Sequence, residues 1–418
     1  MSSIEERKKE RFQNKSRQLS SKYLNKLVEL PGAPSQYEYF HNILRRTFIE
    51  DRIREDMEEK IVGTYCVMVP QELIYASGAR PVKLCSGNYI GFHFGDEVAP
   101  RDACPLVKAI IGNHVTKGCG IVSECDMYVV PITCDCKKKM ASILREYKET
   151  IELQIPINKT DDLAMETYIK ELWYLKEQLE SMTGKKITRK SLLNEIQTMA
   201  QVQQQIYRFI QLKGQQPPLI RGSHGLAIMN SFSYEQAKEW GEHLRLLNDE
   251  LELRLRNQQI LTKKKLPRIL LTGSPMTFPN LKVPLLLEEM DGLMVADETC
   301  MGDRGLYDPV VVSDSSMMGL MRALANRYVL PCSCPVFTEN EQRIRRIEQM
   351  IEKQKVDGVI YHVLRGCLVY DYEYSLLEKR MEERNIPIIR VESDYNEEDV
   401  EQLRIRLEAF VEMIKFSK

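Results

Sequence analysis

No stretch of the chain approaches the roughly 20 apolar residues that a membrane span needs, so no transmembrane segment is expected. Charge of one sign is not in excess either: 59 basic residues meet 60 acidic ones, for a net charge of -1. That balance argues against bulk electrostatic binding of nucleic acid. The opening residues, Met-Ser-Ser-Ile-Glu-Glu-Arg-Lys-Lys-Glu, are charged and have no apolar core. They do not read as a signal peptide, and a cytoplasmic location is the expectation. Two nucleotide fingerprints are missing. There is no Gly-x-Gly-x-x-Gly, and Gly184-Lys185-Lys186 lacks both the first glycine and the hydroxyl of a phosphate loop. The six histidines (His41, His93, His114, His224, His243, His362) are dispersed without the pairing of a metal site. His362 reads as a satisfied histidine on a buried strand.

Cysteine is what the sequence does have. There are 11, an odd number. Disulfides are disfavoured in a reducing compartment. Three readings remain: buried structural thiols, a reactive thiol, or ligands for a soft metal. Placement narrows the choice. From Tyr128 to Met140 a β-branched run ends in Cys134-Asp135-Cys136 and passes into a lysine-rich helix start. Open parallel sheets bind ligands at the carboxyl ends of their strands, and this arrangement recurs along the chain. Zinc sites usually draw on pairs spaced by two to four residues. The Cys-x-Cys pairs here are tighter and far apart, whereas iron–sulfur clusters accept ligands from distant segments. The candidates are Cys66, Cys104, Cys134, Cys300, Cys332 or Cys334, and Cys367, each at a strand end or helix start, where N–H groups stabilise thiolate. Cys85 ranks below them. Cys119, Cys125 and Cys136 read as structural thiols or neighbours of a centre.

Two helices are expected before residue 60, broken at Pro31-Gly32-Ala33-Pro34, with the role of covering a sheet. Strands are then expected at 61–66, 81–84, 127–132 and 153–157, alternating with helices and separated by a Gly-rich loop before Cys104. Residues 161–264 are helical by pattern, interrupted at Thr183-Gly184 and at Gly214 to Pro218. The opening order returns at Pro267, with strands near 268–275, 292–297, 356–362 and 386–391 and a last helix at 396–416. The expected class is α/β: two Rossmann-like parallel-sheet units with helices on both faces, joined by a helical segment. The boundaries are 1–160 for the N-terminal helices and first unit, 161–265 for the connecting helices and 266–418 for the second unit.

Gly63-Thr64-Tyr65-Cys66, Pro70-Gln71-Glu72-Leu73, Ala76-Ser77-Gly78 and Leu84-Cys85-Ser86 together resemble the 2-hydroxyacyl-CoA dehydratase and benzoyl-CoA reductase family. So do Arg101-Asp102-Ala103-Cys104-Pro105, Thr133-Cys134-Asp135 with Lys137-Lys138-Lys139, Cys332-Ser333-Cys334, Asp357 to Ile360 through Cys367, and Ser393-Asp394-Tyr395. The resemblance runs from Ile61 to the C-terminus and is nearest to the double-cubane cluster proteins. It implies an iron–sulfur reductase whose electrons come from a separate ATP-hydrolysing activator with its own [4Fe–4S] cluster. A small-molecule substrate and a homodimer are expected with it. By resemblance, Cys104, Cys134 and Cys367 hold a [4Fe–4S] cluster. Cys66, Cys300 and the pair Cys332/Cys334 supply the further ligands of a double-cubane [8Fe–9S] centre. The alternative is a 2-hydroxyacyl-CoA dehydratase subunit with a single cubane. A third reading is a non-enzymatic carrier of a cluster. Two positions depart from the pattern: Cys136 replaces a usual glycine, and Ser274 stands where a cysteine is common.

Overall fold

Two amphipathic helices open the chain. The computed structural model describes residues 2–54, 58–306 and 308–416, and these helices are α1 (Ser2–Glu29) and α2 (Tyr37–Phe48). In α2, Tyr37, Phe40, Ile43, Leu44 and Thr47 are buried, the spacing of one helical face turned to a core. The expected role of the two helices was to cover one sheet, but α1 reaches further. Lys8 pairs with Glu97 at 2.8 Å, Lys26 with Glu289 at 3.1 Å, and the Tyr23 hydroxyl donates to Glu397 at 3.0 Å. The helix thus straps both halves of the molecule.

The first unit runs β1 (Lys60–Thr64), α3 (Gln71–Ala76), β2 (Ala79–Lys83), α4 (Tyr89–Gly95), α5 (Pro105–Val115), α6 (Gly120–Glu124), β3 (Met127–Ile132), α7 (Asp135–Leu144) and β4 (Thr150–Gln154). All its strand pairs are parallel, in the order β2-β1-β3-β4. Helices α8 (Asp162–Thr183), α9 (Arg189–Lys213), α10 (Gly222–Ser231) and α11 (Ala237–Arg256) follow. Their ends are set by local chemistry. The Asp161 side chain accepts the N–H groups of Leu163 and Ala164. Gly184 closes α8 at a φ of 69°, a left-handed conformation that glycine adopts without strain. Thr188 and Ser191 form a reciprocal cap on α9.

The second unit runs β5 (Arg268–Gly273), α12 (Lys282–Glu289), β6 (Leu293–Glu298), a 3₁₀ turn (Asp303–Leu306), α13 (Met317–Val329), α14 (Glu341–Gln354), β7 (Gly358–Leu364), α15 (Leu368–Glu383), β8 (Ile388–Ser393) and α16 (Val400–Phe416). Its sheet is again parallel, in the order β6-β5-β7-β8. Numbered within each unit, both sheets read second-first-third-fourth, so the repeat inferred from element order is a repeat of topology. In each sheet the order reverses between the first and third strands, and such switch points open a crevice at the strands' carboxyl ends. β3 and β7 are buried almost throughout, as strands covered on both faces must be. The largest apolar cluster draws on α1, α2, α10 and α11 and on both sheets. No described helix is long and apolar enough to cross a membrane.

The segment expected to be a Gly-rich loop before Cys104 contains α4. Its glycines serve helix contact: a Cβ on Gly112 of α5 would lie 1.8 Å from the Gly91 carbonyl of α4, and one on Gly95 would lie 2.0 Å from the Lys108 carbonyl. Gly112→Ala is therefore expected to force the two helices apart and cost about 1–3 kcal/mol, measurable as a lower denaturation midpoint with an unchanged slope.

Candidate functional site

The loops at the carboxyl ends of the strands carry the thiols. Cys66 follows β1, Cys85 follows β2, Cys134 follows β3, Cys300 follows β6 and Cys367 follows β7. Cys104, Cys134 and Cys367 share a more specific position, each being the residue immediately before the first turn of a helix: α5, α7 and α15. The first N–H groups of a helix have no partner within it, and they face these sulfurs. Leu106 and Val107 present their N–H groups to Cys104, Lys137 to Cys134 and Tyr370 to Cys367. Cys104 and Cys367 come from different units and meet sulfur to sulfur. The Cys367 thiol and then the N–H groups of Val107 and Leu106 bring Cys104 down to about 7 despite burial. Cys367 is correspondingly pushed up, first by Cys104 and then by burial.

A second set of thiols lies beside the first. Burial pushes up the Cys334 thiol, and Cys300, Cys332 and Cys66 add to the effect while Arg304 opposes it. Cys332 is raised by burial to about 11 and has the Cys334 N–H and Cys66 as neighbours. Arg304 is 6 % exposed. It donates to the carbonyls of Gly273 at 3.1 Å and Ser333 at 3.3 Å and pairs with Glu298 at 3.4 Å. Lys159 donates to the Cys332 carbonyl and lies over the Phe337 ring at 4.3 Å.

Two residues join the sets. Burial opposes the charge of Lys137, but Cys66, Cys85, Cys134 and Cys300 more than offset it and raise the ammonium pKa. Its Nζ donates to the Tyr65 carbonyl at 2.6 Å. Tyr370 gives its backbone N–H to Cys367, and its hydroxyl lies 3.8 Å from the Cys300 sulfur. The guanidinium groups of Arg304 and Arg343 lie over its ring at 5.6 and 5.8 Å. Lys83, buried on β2, faces Cys85, Cys300 and Cys66.

The seven sequence candidates thus fall into two neighbouring sets: Cys104, Cys134 and Cys367, and Cys66, Cys300, Cys332 and Cys334. Of the other four thiols, Cys85 borders Cys66 and Cys300, and Cys136 borders Cys134. Cys85 is buried and pushed up to about 11, chiefly by burial. Cys119 is likewise raised to about 12, and Cys125 is buried with its thiol donating to the Ile121 carbonyl at 3.3 Å. Cys136 packs half-buried against the main core. Ser274 is fully buried, and its Oγ accepts the Leu364 N–H at 3.0 Å, so the hydroxyl is committed to the backbone. The expected pairing of His362 is half met: its Nε2 bonds Ser393 at 2.8 Å, but its Nδ1 has no partner.

Among the described residues no three His, Cys, Asp or Glu side chains converge tightly enough to chelate one metal ion. A polynuclear cluster makes a different demand, because it brings its own sulfide and binds each thiolate at a separate iron. The donor set here fits that demand. It is sulfur only and soft, three of its thiols sit at helix N-termini, and Lys83, Lys137, Lys159 and Arg304 face it. Neutral thiols would leave the buried ammonium of Lys137 without a counter-charge. Sequence reasoning did not single out the roles of Lys83, Arg304 and Tyr370, because a lysine, arginine or tyrosine beside a strand or at a helix start normally reads as surface.

Behind the second set, Asp297 and Asp303 share one lysine. Lys213 Nζ lies 2.9 Å from Asp303, and Asp297 Oδ2 has no partner. Burial, then the Asp303 charge, raise Asp297 to about 7. A carboxyl raised on folding takes up a proton with the fold, so its charge costs stability increasingly as pH rises from its unfolded value through 7. Asp297→Asn is expected to raise the melting temperature more at pH 8 than at pH 5 and to change it least below the unfolded carboxyl value, about 3.9.

The family described as "2-hydroxyglutaryl-CoA dehydratase, D-component" matches residues 66–414. The Escherichia coli (strain K12) protein named "Putative dehydratase subunit YjiM" is 31% identical over 389 residues, 91% of this chain and 98% of its own length. The (R)-phenyllactyl-CoA dehydratase beta subunit of Clostridium sporogenes is 25% identical over 94% of this chain and 99% of its own length. A benzoyl-CoA reductase subunit from Thauera aromatica is 21% identical over 86% of this chain and 92% of its own length. With its cysteines on these strand ends and its sequence matched across both units, the chain belongs to the 2-hydroxyacyl-CoA dehydratase and benzoyl-CoA reductase family.

Proposed function

We propose that the chain is the cluster-bearing protein of an iron–sulfur reductase of the double-cubane type. The observation that carries the reading is the presence of two adjoining thiol sets where one cubane needs only one. Cys104, Cys134 and Cys367 would hold one cubane. Cys66, Cys300 and the Cys332/Cys334 pair would hold the other, and a sulfide would link them. Such a centre supplies electrons of low potential to a substrate. The protein's own residues supply the rest. Helix N-termini and buried cations offset the negative charge of the thiolates. Tyr370 and Lys137 span the two sets and fix their relation, and the surrounding apolar core excludes water. The chain lacks nucleotide fingerprints, which fits electron supply by a separate ATP-hydrolysing activator. A cytoplasmic homodimer completes the proposal.

A second reading has its own support, because the relatives include dehydratase subunits. In that reading the three N-cap thiols hold a single cubane, and the enzyme is a lyase acting on a 2-hydroxyacyl-CoA with a second subunit. Iron and sulfide analysis of anaerobically purified protein separates the two. The reductase reading predicts two cubanes' worth of iron per chain. One cubane's worth, with binding of an acyl-CoA, would transfer the assignment to the dehydratase.

A further inference from the structure

The two thiol sets are supplied with hydrogen-bond donors in different ways. In the first, Cys104, Cys134 and Cys367 each precede a helix, and Leu106, Val107, Lys137 and Tyr370 turn backbone N–H groups toward them. None of Cys66, Cys300, Cys332 and Cys334 immediately precedes a helix. Within this second set, Cys332 receives the Cys334 N–H. Cys300 meets a side chain instead: the Tyr370 hydroxyl lies 3.8 Å from its sulfur, within reach of an acceptor as large as sulfur.

The surroundings of Tyr370 fix where that hydroxyl points. The residue is 5 % exposed. The guanidinium groups of Arg304 and Arg343 lie over its ring at 5.6 and 5.8 Å, and the Tyr361 hydroxyl donates to its carbonyl at 2.8 Å. Among the described residues the Tyr370 hydroxyl has no hydrogen-bond partner besides Cys300, and buried hydroxyls are normally bonded. A thiolate has no proton to give, so once Cys300 is ionised the phenol is the donor.

We propose that Tyr370 is a positioning residue that sets the reduction potential of one cubane independently of the other. Its O–H raises the potential of the cubane held by Cys66, Cys300 and the Cys332/Cys334 pair, in place of the helix N-termini that this set lacks. The assignment rests on the double-cubane reading. A donor on a ligand sulfur offsets negative charge there, and reduction adds more of that charge. The bond therefore strengthens in the reduced state and the potential rises. Lys137 does not separate the two halves in this way, because it faces thiols of both sets.

Tyr370→Phe keeps the ring beneath its two arginines and the backbone N–H on Cys367, and removes only the O–H. Redox titration of the iron-loaded, anaerobically prepared full-length protein, followed by electron paramagnetic resonance, is expected to show two reduction steps. In Tyr370→Phe one of them should fall tenfold in equilibrium constant, ~59 mV for one electron, and the other should stay in place. Cys134→Ser is expected to keep the cubane of the second set, and adding Tyr370→Phe to it should lower the surviving step by the same factor. Tyr361→Phe is the control. It removes the bond to the Tyr370 carbonyl but leaves the hydroxyl on Cys300, so both steps should stay in place. Melting curves and iron assays are expected to show each single tyrosine variant folded and fully loaded. Unmoved steps in Tyr370→Phe, an equal fall of both, a matching shift in Tyr361→Phe, or loss of iron from Tyr370→Phe would each overturn the proposal. The iron assay also separates it from the reading beneath it. Two cubanes' worth of iron with unmoved steps sinks the role of Tyr370 alone. One cubane's worth, or none, sinks the double-cubane reading and the role with it.

Discussion

Cys134→Ser, purified and reconstituted without oxygen, is expected to lose about half of the wild-type iron and sulfide, whereas the double variant Cys332→Ser/Cys334→Ser is expected to lose the other half. The two results differ because the thiols removed belong to different sets. Cys134 sits before α7 with Cys104 as its neighbour, and Cys104 meets Cys367 across the units. Removing one of three protein ligands opens a cubane to solvent and to oxidation. Cys334 has Cys300, Cys332 and Cys66 as neighbours instead. Within its set, Cys332→Ser tests which member of the Cys-x-Cys pair binds iron: the ligand's loss lowers the iron content and the other's does not. Cys125→Ser is the control. Its thiol is buried away from both sets and donates to the Ile121 carbonyl at 3.3 Å, so its iron content should match wild type. Equal iron in Cys134→Ser and wild type would show that the thiols on the helix N-termini are not ligands.

Arg343→Met is expected to be the most destabilising substitution outside the apolar core, at about 3–5 kcal/mol. Arg343 is fully buried. Its guanidinium donates to Glu373 at 2.8 Å, to Glu298, to the Thr272 hydroxyl at 3.0 Å and to the Ser333 carbonyl at 3.2 Å. Methionine fills similar volume but leaves two carboxylates buried with one fewer cation. Arg304 remains 3.4 Å from Glu298, which holds the cost toward the lower end of the range. Burial would raise Glu298, but Arg304 and Arg343 hold it below the usual carboxylate range. A carboxylate depressed on folding stabilises above its unfolded pKa, about 4.3, and that contribution is lost as pH falls through the folded value. The penalty of Arg343→Met, read from urea melts, should therefore be full at pH 7 and shrink in acid. The same network holds the Cys-x-Cys loop, because Ser333 donates to Glu298 at 2.9 Å. Reduced iron retention should accompany the lost stability.

The strand-end cysteines were legible in the sequence because strand ends are marked locally, by a β-branched run that stops at a cysteine. β3 falls on the expected residues, 127–132. Other edges were less clear. β2 begins at Ala79 and includes Pro81, a residue that usually argues against a strand. It is tolerated because β2 is an edge strand paired only with β1. β4 covers Thr150–Gln154, earlier than the apolar run near Ile157 suggested, and Ile157 is 70 % exposed. The glycines of α4 read as loop because their function, contact with α5, lies between two helices and not along one. The cations of the site were the least legible. Lys83 is an ordinary strand residue until the fold buries it against Cys66 and Cys300, which lie far from it in the chain.

The most direct measurement is a crystal structure grown without oxygen from iron-loaded protein, with anomalous scattering recorded at the iron edge. The account predicts iron in two adjoining positions, one against Cys104, Cys134 and Cys367 and the other against Cys66, Cys300 and the Cys332/Cys334 pair. Iron at the first position alone would remove the second cubane and with it the double-cubane assignment. Iron-loaded crystals with no anomalous signal at any of these seven thiols would contradict the account as a whole.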